Sequence, residues 1–302
     1  MNKIIFHYSP PAFINIPSPS LSILKGFLDM HGYESKVIYW NILFYEMQKH
    51  FLLVNVNLRN DQDSLLLFLN YIAYENKDHI LKSRIKTSLI SRTPDKLHAE
   101  YDFYEQHMML YKQKVDEVID SIIKEYDFAN ALYFGFSLKF EQWVFAYMLS
   151  IRLKKEFPNI PIVIGGINHK NAAESFLYNF NAFDIAMWGE GEYSLLSLTK
   201  QIESEKYDLN LIPNIAYRRE EKILFSDTNL RNYVDLSLEN FYPVFTDYLE
   251  QKNNQAIYDY ALTLEFSRGC HWNKCHFCYL NVGYKYRRKS IDKIKKEILY
   301  FI

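Results

Sequence analysis

The sequence predicts an α/β fold: a doubly wound parallel sheet with a helical insertion at about 42–128, followed by one further strand, loop and helix. Three observations predict it. Apolar runs of four to six residues alternate with amphipathic helical stretches before residue 42 and again from 131 to 204. The loops after those runs are rich in Gly, Ser and Pro, residues that end strands and let a backbone approach a ligand. From Ile42 to about Phe128, Leu, Tyr and Phe recur at three-to-four spacing between polar turns, as in packed helices.

Taken in order, Lys3–Tyr8 is a short apolar strand, and the prolines between Ser9 and Pro19 stop both helix and sheet. Ser18 or Ser20 caps a helix to about Met30, with Leu21, Leu24, Phe27 and Leu28 on one face and Gly32 past its end. A second strand, Lys36–Tyr39, completes a strand, helix, strand unit of the kind that builds parallel sheets. The insertion ends in a helix at roughly Asp95 to Tyr126, and is either a packed flank or a cap over the substrate side. Strands at Ala131–Phe136, Pro161–Ile164 and Phe183–Met187 then alternate with helices at Glu141–Glu156, Asn171–Asn179 and Tyr193–Ser204. A hairpin (Pro213–Arg218 with Ile223–Phe225) opens a connector over 206–257. Over 258–302 a strand, Ala261–Phe266, delivers a cysteine loop. Ser290 then caps a closing helix with Ile291, Ile294, Ile298 and Leu299 on one face.

At 302 residues and 49% apolar composition the chain can bury a sizeable core. A formal charge of -1, from 35 basic and 36 acidic residues, gives no reason to expect nucleic acid or an anionic membrane as partner. No signal peptide and no stretch of about 20 apolar residues is present, so the reading is cytoplasmic. The 25 Tyr and 22 Phe point first to bulky core packing.

All three cysteines fall in one stretch, Ser267-Arg268-Gly269-Cys270-His271-Trp272-Asn273-Lys274-Cys275-His276-Phe277-Cys278. Four residues separate the first pair and two the second, so three thiolates can converge within one loop. Three soft ligands leave a tetranuclear iron–sulfur cluster with one open iron. A zinc knuckle completed by His271 or His276 is the other reading the residues leave open. The loop resembles the cluster loop of radical S-adenosylmethionine (SAM) enzymes, in which an aromatic residue precedes the third cysteine, a place filled here by Phe277. It departs from the family's usual spacing by one extra residue between the first two cysteines. The lead-in Ser267-Arg268-Gly269-Cys270 is common in members with a cobalamin-binding domain in front.

The strand-end loops carry a second resemblance. Ser137-Leu138-Lys139, Gly165-Gly166-Ile167-Asn168-His169 and Trp188-Gly189-Glu190-Gly191-Glu192, with the Ser9-Pro10-Pro11 loop, are similar to the flavodoxin-like, Rossmann-like cobalamin-binding domain of such enzymes over about residues 3 to 205. The resemblance implies that Pro10, Ser137, Gly165, Gly166, Gly189 and Glu190 contact cobalamin. It further implies that Cys270, Cys275 and Cys278 hold a 4Fe-4S cluster and that Phe277 packs near the adenine of SAM. No histidine lies between Ser9 and Pro19, so cobalamin is expected without a protein ligand below the cobalt; His7 at the strand end reads as a structural residue.

The activity implied is reductive cleavage of SAM to start radical chemistry, with cobalamin-dependent methyl transfer to a peptide or small natural product as the modal outcome. A flavodoxin or ferredoxin would supply electrons. A cobalamin-free enzyme that uses the front domain for substrate is the rival within the family. The last strand, loop and helix read as the first unit of a partial barrel, so the chain is expected to be the N-terminal part of a longer enzyme and inactive alone. The basic run Lys285 to Lys289 reads as a solvated exit loop, or else as a patch that steers an anionic substrate.

Overall fold

The computed structural model describes residues 3–45, 79, 83, 110, 112–204, 208–226, 233–272, 274–276, 278 and 285–301. Its frame is a seven-stranded sheet in the order β2-β1-β3-β4-β5-β6-β7. The strands are β1 (Lys3–Tyr8), β2 (Ser35–Tyr39), β3 (Ala131–Ser137), β4 (Ile162–Ile167), β5 (Ile185–Trp188), β6 (Ile215–Arg219) and β7 (Lys222–Phe225). The first five are parallel, and chain order reverses between β1 and β3. In such sheets ligands bind beyond the carboxyl ends of the strands near that reversal. The hairpin expected to open the connector instead extends the sheet: β6 pairs antiparallel with β5, and β7 with β6.

Strand side chains alternate between two cores, as the twofold period of a strand requires. Ile4, Phe6, Val37, Val163, Ile185 and Met187 face α1 (Pro19–Met30) and the later helix Glu192–Glu203. Ile5, Ile38, Phe134, Phe136, Ile164 and Ala186 face helices Trp143–Glu156 and Lys170–Asn179. After the short α2 (Trp40–Leu43), the described part of the insertion is α3, residues 112–125. Its Val115, Ile119 and Ile122 are buried in the second core, and Arg152 pairs with Asp116 and Asp120 on it. That much is a packed flank; the residues on which a cap over the substrate side would depend, and about half of the Asp95–Tyr126 helix, lie outside the described residues. With α4 (Trp143–Glu156), α5 (Lys170–Asn179) and α6 (Glu192–Glu203) the doubly wound body is complete.

The Ser18 hydroxyl accepts from Leu21 N at 3.3 Å and Pro19 occupies the first helical position of α1, which settles the cap in favour of Ser18. The open edge of β2 is closed by α7 (Thr246–Asn254), which supplies side chains where a strand would supply backbone. Val37 N donates to Asp247 Oδ2 (2.8 Å) and Tyr39 N to Gln251 Oε1 (2.9 Å), while Gln251 Nε2 donates to Val37 O (2.8 Å). An uncovered edge would leave these groups free to pair with another chain. The connector reaches that position by crossing α1 at Gly26, where a Cβ would stand 1.8 Å from Tyr242 O.

The last segment differs from expectation. Residues 261–266 form no ladder, because a parallel strand needs a neighbour to bond and the described residues offer none. Ala261 N donates to Asn15 O at 2.9 Å, and pairing begins at β8 (Ser267–Arg268), antiparallel to β9 (Arg287–Arg288). The closing helix α8 (Ile291–Phe301) starts as predicted, with Lys293 N donating to Ser290 Oγ at 3.2 Å. Its inward face is not the apolar one: Lys293 and Glu297 are buried, whereas Ile291 and Leu299 are 71% and 74% exposed. The Lys289–Glu297 ion pair (2.6 Å) and the stacking of Tyr300 on Tyr242 (4.8 Å) hold that orientation. No helix among the described residues is long and apolar enough to cross a membrane.

Candidate functional site

Beyond the carboxyl ends of the parallel strands lies a cavity of about 410 Å³. Its floor is Phe6 of β1, Gly135 to Ser137 of β3 and Met187 of β5. One wall is the Gly165–Asn168 loop with Lys139; another is the first turns of α1 and α6. The fourth side comes from the far end of the chain: Glu265, Arg268 and Gly269, the residues that lead into Cys270. The cavity is thus shared between the sheet and the neck of the cysteine loop.

The glycines act differently from one another. Gly166 has φ +79°, and a Cβ there would stand 2.8 Å from Leu138 O, so it allows two strand-end loops to cross. At Gly165 a Cβ would meet nothing within 4 Å: the missing side chain leaves space in the cavity. Ser137 Oγ lies 3.2 Å from Ser20 Oγ, a hydroxyl pair on the floor beside the start of α1. Lys139 has no carboxylate partner among the described residues; its ammonium donates to Asn168 Oδ1 at 3.4 Å, and burial lowers its pKa from the ordinary lysine value.

The neck is held by charge. Arg268 donates to Glu190 Oε2 (3.0 Å), Glu192 Oε1 (2.7 Å) and both oxygens of Glu265 (2.9 and 2.8 Å). Arg287 makes a forked pair with Glu190 at 2.6 and 2.7 Å and lies over the Tyr233 ring. Burial pulls the Arg268 pKa down, but Glu192, Glu265 and Glu190 outweigh it and hold the guanidinium above its ordinary value. Gly269 has φ +85°, and a Cβ there would lie 2.7 Å from Lys285 O. The Ser-Arg-Gly-Cys lead-in therefore has a job at each position: Ser267 pairs with Arg288, Arg268 clamps onto the sheet, and Gly269 crosses the returning strand. The basic run is solvated only in part: Lys285, Tyr286 and Arg288 are exposed, whereas Arg287 and Lys289 pair with Glu190 and Glu297.

Of the residues singled out in the sequence, Ser137, Gly165, Gly166, Gly189 and Glu190 all line the cavity. Glu190 does so with its carboxylate already committed to two arginines. Pro10 is buried and outside the cavity wall. Its loop ties three segments together, with carbonyls of Phe13, Ile14 and Asn15 accepting from Asn41 of α2, Tyr248 of α7 and Ala261 before the cysteine loop. His7 is fully buried, accepts from Trp40 Nε1 at 2.9 Å and stacks on Phe136, so it is structural. Lys139, Glu192 and Arg287 lie in stretches the sequence singled out but gave no role one by one, and Glu265 lies in the expected strand before the cysteines; their meeting depends on the fold, since Arg268 reaches Glu190 across 78 residues of chain.

Cys270 and Cys278 are half-buried and Cys275 is exposed. Phe277 lies outside the described residues. Among the described residues no three His, Cys, Asp or Glu side chains converge as a metal-ligand set. Three thiols within nine residues are the donor chemistry of an iron–sulfur cluster, but they are not gathered here, and His271 and His276 are exposed rather than turned in to close a zinc site. A cavity of this size, with open space at Gly165, has room for a nucleotide-sized group and not for a whole corrinoid.

No protein-family model matches the chain. It is 28% identical over 158 residues to an anaerobic magnesium-protoporphyrin IX monomethyl ester cyclase of Synechocystis sp., a match covering 50% of this chain and 30% of that protein. Among solved structures, the cobalamin-dependent SAM radical enzyme OxsB with aqua-cobalamin bound superposes with a TM-score of 0.56 at 16% identity, over 99% of this chain and 31% of OxsB. The radical SAM methyltransferase TsrM from Kitasatospora setae, with cobalamin and a 4Fe-4S cluster bound, gives 0.53 at 12% identity, over all of this chain and 46% of TsrM. The chain spans about a third of the curated relative and of OxsB, and under half of TsrM. Over nearly its whole length this chain has a fold shared with the cobalamin-dependent radical SAM enzymes OxsB and TsrM.

Proposed function

We propose that this chain is the cofactor-binding part of a radical SAM enzyme that acts with cobalamin. The observation that carries the reading is the shared cavity: the loops that resemble a cobalamin domain and the neck of the cysteine loop form one enclosure, locked by Arg268 and Glu190. When bound, the cluster would supply the electron that cleaves SAM, and the corrinoid a methyl group.

The chain's own residues have definable parts in this. Ser137, Gly165 and Gly189 shape a slot into which a nucleotide tail slides, with Phe6 and Met187 as its apolar floor. The Arg268–Glu190–Arg287 network holds the lead-in to Cys270 against the wall of the slot. Cys270, Cys275 and Cys278 are the cluster ligands in this reading, gathered by the metal itself, as ligands that are not preformed commonly are. Methyl transfer to a peptide or small natural product, with a flavodoxin or ferredoxin as electron donor, belongs to the whole enzyme.

Two measurements test the proposal. Anaerobic reconstitution with iron and sulfide should give about four irons per chain and a cluster chromophore that is lost when the three cysteines are changed to Ala; one zinc per chain and no iron would sink it. Hydroxocobalamin should bind the purified chain, and Gly165→Val should abolish that binding with little change in melting temperature, because the side chain projects into the slot from a position where a Cβ meets nothing within 4 Å. Cluster formation without corrinoid binding would favour the cobalamin-free rival.

A further inference from the structure

The cavity is charged, and its charges do not all cancel against one another. Three carboxylates line it, those of Glu190, Glu192 and Glu265, and all three are bonded to Arg268, with Glu190 also bonded to Arg287. None is left facing a ligand unpaired. Lys139 lines the same cavity from the loop after β3, and among the described residues its one polar partner is the neutral Asn168 amide.

Other features of the wall have the same sign. α1, twelve residues long, begins at the cavity with Pro19 and Ser20, and α6, also twelve residues, begins there with Glu192. Helix starts carry partial positive charge. Glu192 answers the start of α6 but is itself neutralised by Arg268, whereas α1 has no acidic residue in its first turn. The Ser20 and Ser137 hydroxyls add two rotatable donors on the floor. Lys139 is exposed at the rim with no carboxylate partner among the described residues, and partial desolvation lowers its pKa from the ordinary lysine value.

We propose that Lys139, bonded to Asn168 and lining the same cavity as the Ser20–Ser137 hydroxyls, is a phosphate subsite at the cavity rim, and that it selects ligands whose tail carries a phosphodiester or phosphomonoester. The inference rests on the cobalamin reading and deepens it, because it makes recognition depend on the charged linker of the nucleotide tail and not only on its shape. Lys139 is then a specificity-determining residue: its ammonium pairs with the phosphate as the tail enters, and the neutral slot beyond it takes the sugar and base.

The test compares two corrinoids, hydroxocobalamin, which carries the phosphate-linked nucleotide tail, and dicyanocobinamide, which lacks it. Binding of each is titrated by absorbance to the wild-type chain, Lys139→Gln and Lys139→Arg. Because Lys139 is exposed at the rim, both variants should fold, which far-UV circular dichroism checks. The expected result is that Lys139→Gln weakens hydroxocobalamin by about tenfold or more, the scale of a lost charge-assisted hydrogen bond, and leaves dicyanocobinamide unchanged. Lys139→Arg should keep most of the preference, and the preference should shrink as salt is raised. To separate phosphate from the rest of the tail, α-ribazole phosphate should compete better than α-ribazole against the wild type and no better against Lys139→Gln. If Lys139→Gln binds hydroxocobalamin as the wild type does, or loses both corrinoids equally, the phosphate subsite is wrong while the cobalamin reading stands. If the wild type binds neither corrinoid, both are wrong.

Discussion

His7 shows how burial decides what a residue can do. At the end of β1 it points into an aromatic cage of Trp40, Phe128, Phe134 and Phe136, and desolvation pushes its pKa down to about 3. The folded chain therefore holds it neutral where the unfolded chain, near 6.5, takes up a proton. Between about pH 3 and 6.5 the unfolded state binds more protons, so stability falls as pH falls through that window, by up to about 1.4 kcal/mol per pH unit. Denaturant melts between pH 4 and 7 should show this slope in the wild type and a flatter one in His7→Gln; parallel slopes would refute it. At the same scale Lys139, placed one strand further along at a loop, stays accessible and keeps its charge available.

The connector shows how an element is positioned by what it passes. Gly26 lets the Tyr242 carbonyl lie against α1, Val244 N donates to Ser22 O at 2.9 Å, and α7 then falls on the edge of β2. Gly26→Ala places a methyl on backbone that has nowhere to move, and should cost about 1–3 kcal/mol, the range for overpacking. Chemical denaturation measures the loss, and a variant as stable as wild type would show that the crossing is loose. Ser22→Ala, by contrast, leaves the backbone bond to Val244 intact and should be near neutral. Phe241, Phe245 and Tyr248 of the connector are all buried and pack it down. The sequence could not show that Asp247 and Gln251, one helical turn apart, would stand in for a strand, because that role exists only where the open edge of β2 is opposite.

For the molecule as a whole, the Arg268 network joins the two ends of the chain. Its side chains are largely withdrawn from water, Glu192 being 4% and Arg268 17% exposed, so removing one partner strands the others. Breaking such a pair costs about 3–5 kcal/mol when fully buried, and less here where water reaches part of it. Glu190→Gln should leave the sheet intact and release the neck: amide hydrogen exchange at Ser267–Cys270 should rise well above wild type while β1 and β3 stay protected. Uniform exchange changes, or none, would mean that the network does not hold the loop. The exposed apolar residues of α8, Ile291 and Leu299, are the other whole-molecule feature, and within the described residues nothing covers them.

What the sequence by itself determined is everything set by local periodicity and by residue chemistry. The five parallel strands fall within two or three residues of their observed ends, as do the helices between them, since each is written in apolar spacing and in caps such as Ser18 and Ser290. The three thiols and the glycine-bearing strand ends were likewise legible as residue types suited to cofactors. Tertiary structure alone decided which of these meet. The hairpin joined the sheet because β5 had a free edge, residues 261–266 formed no ladder and are tied at their ends to Asn15 and Lys289, and α8 turned its apolar face outward because Lys289 and Glu297 closed a buried ion pair on the other side. The clamp of Arg268 on Glu190 is of the same kind. Its residues are ordinary charges in the sequence, and only a fold that brings positions 78 apart to 3.0 Å makes the neck of the cysteine loop a wall of the cavity.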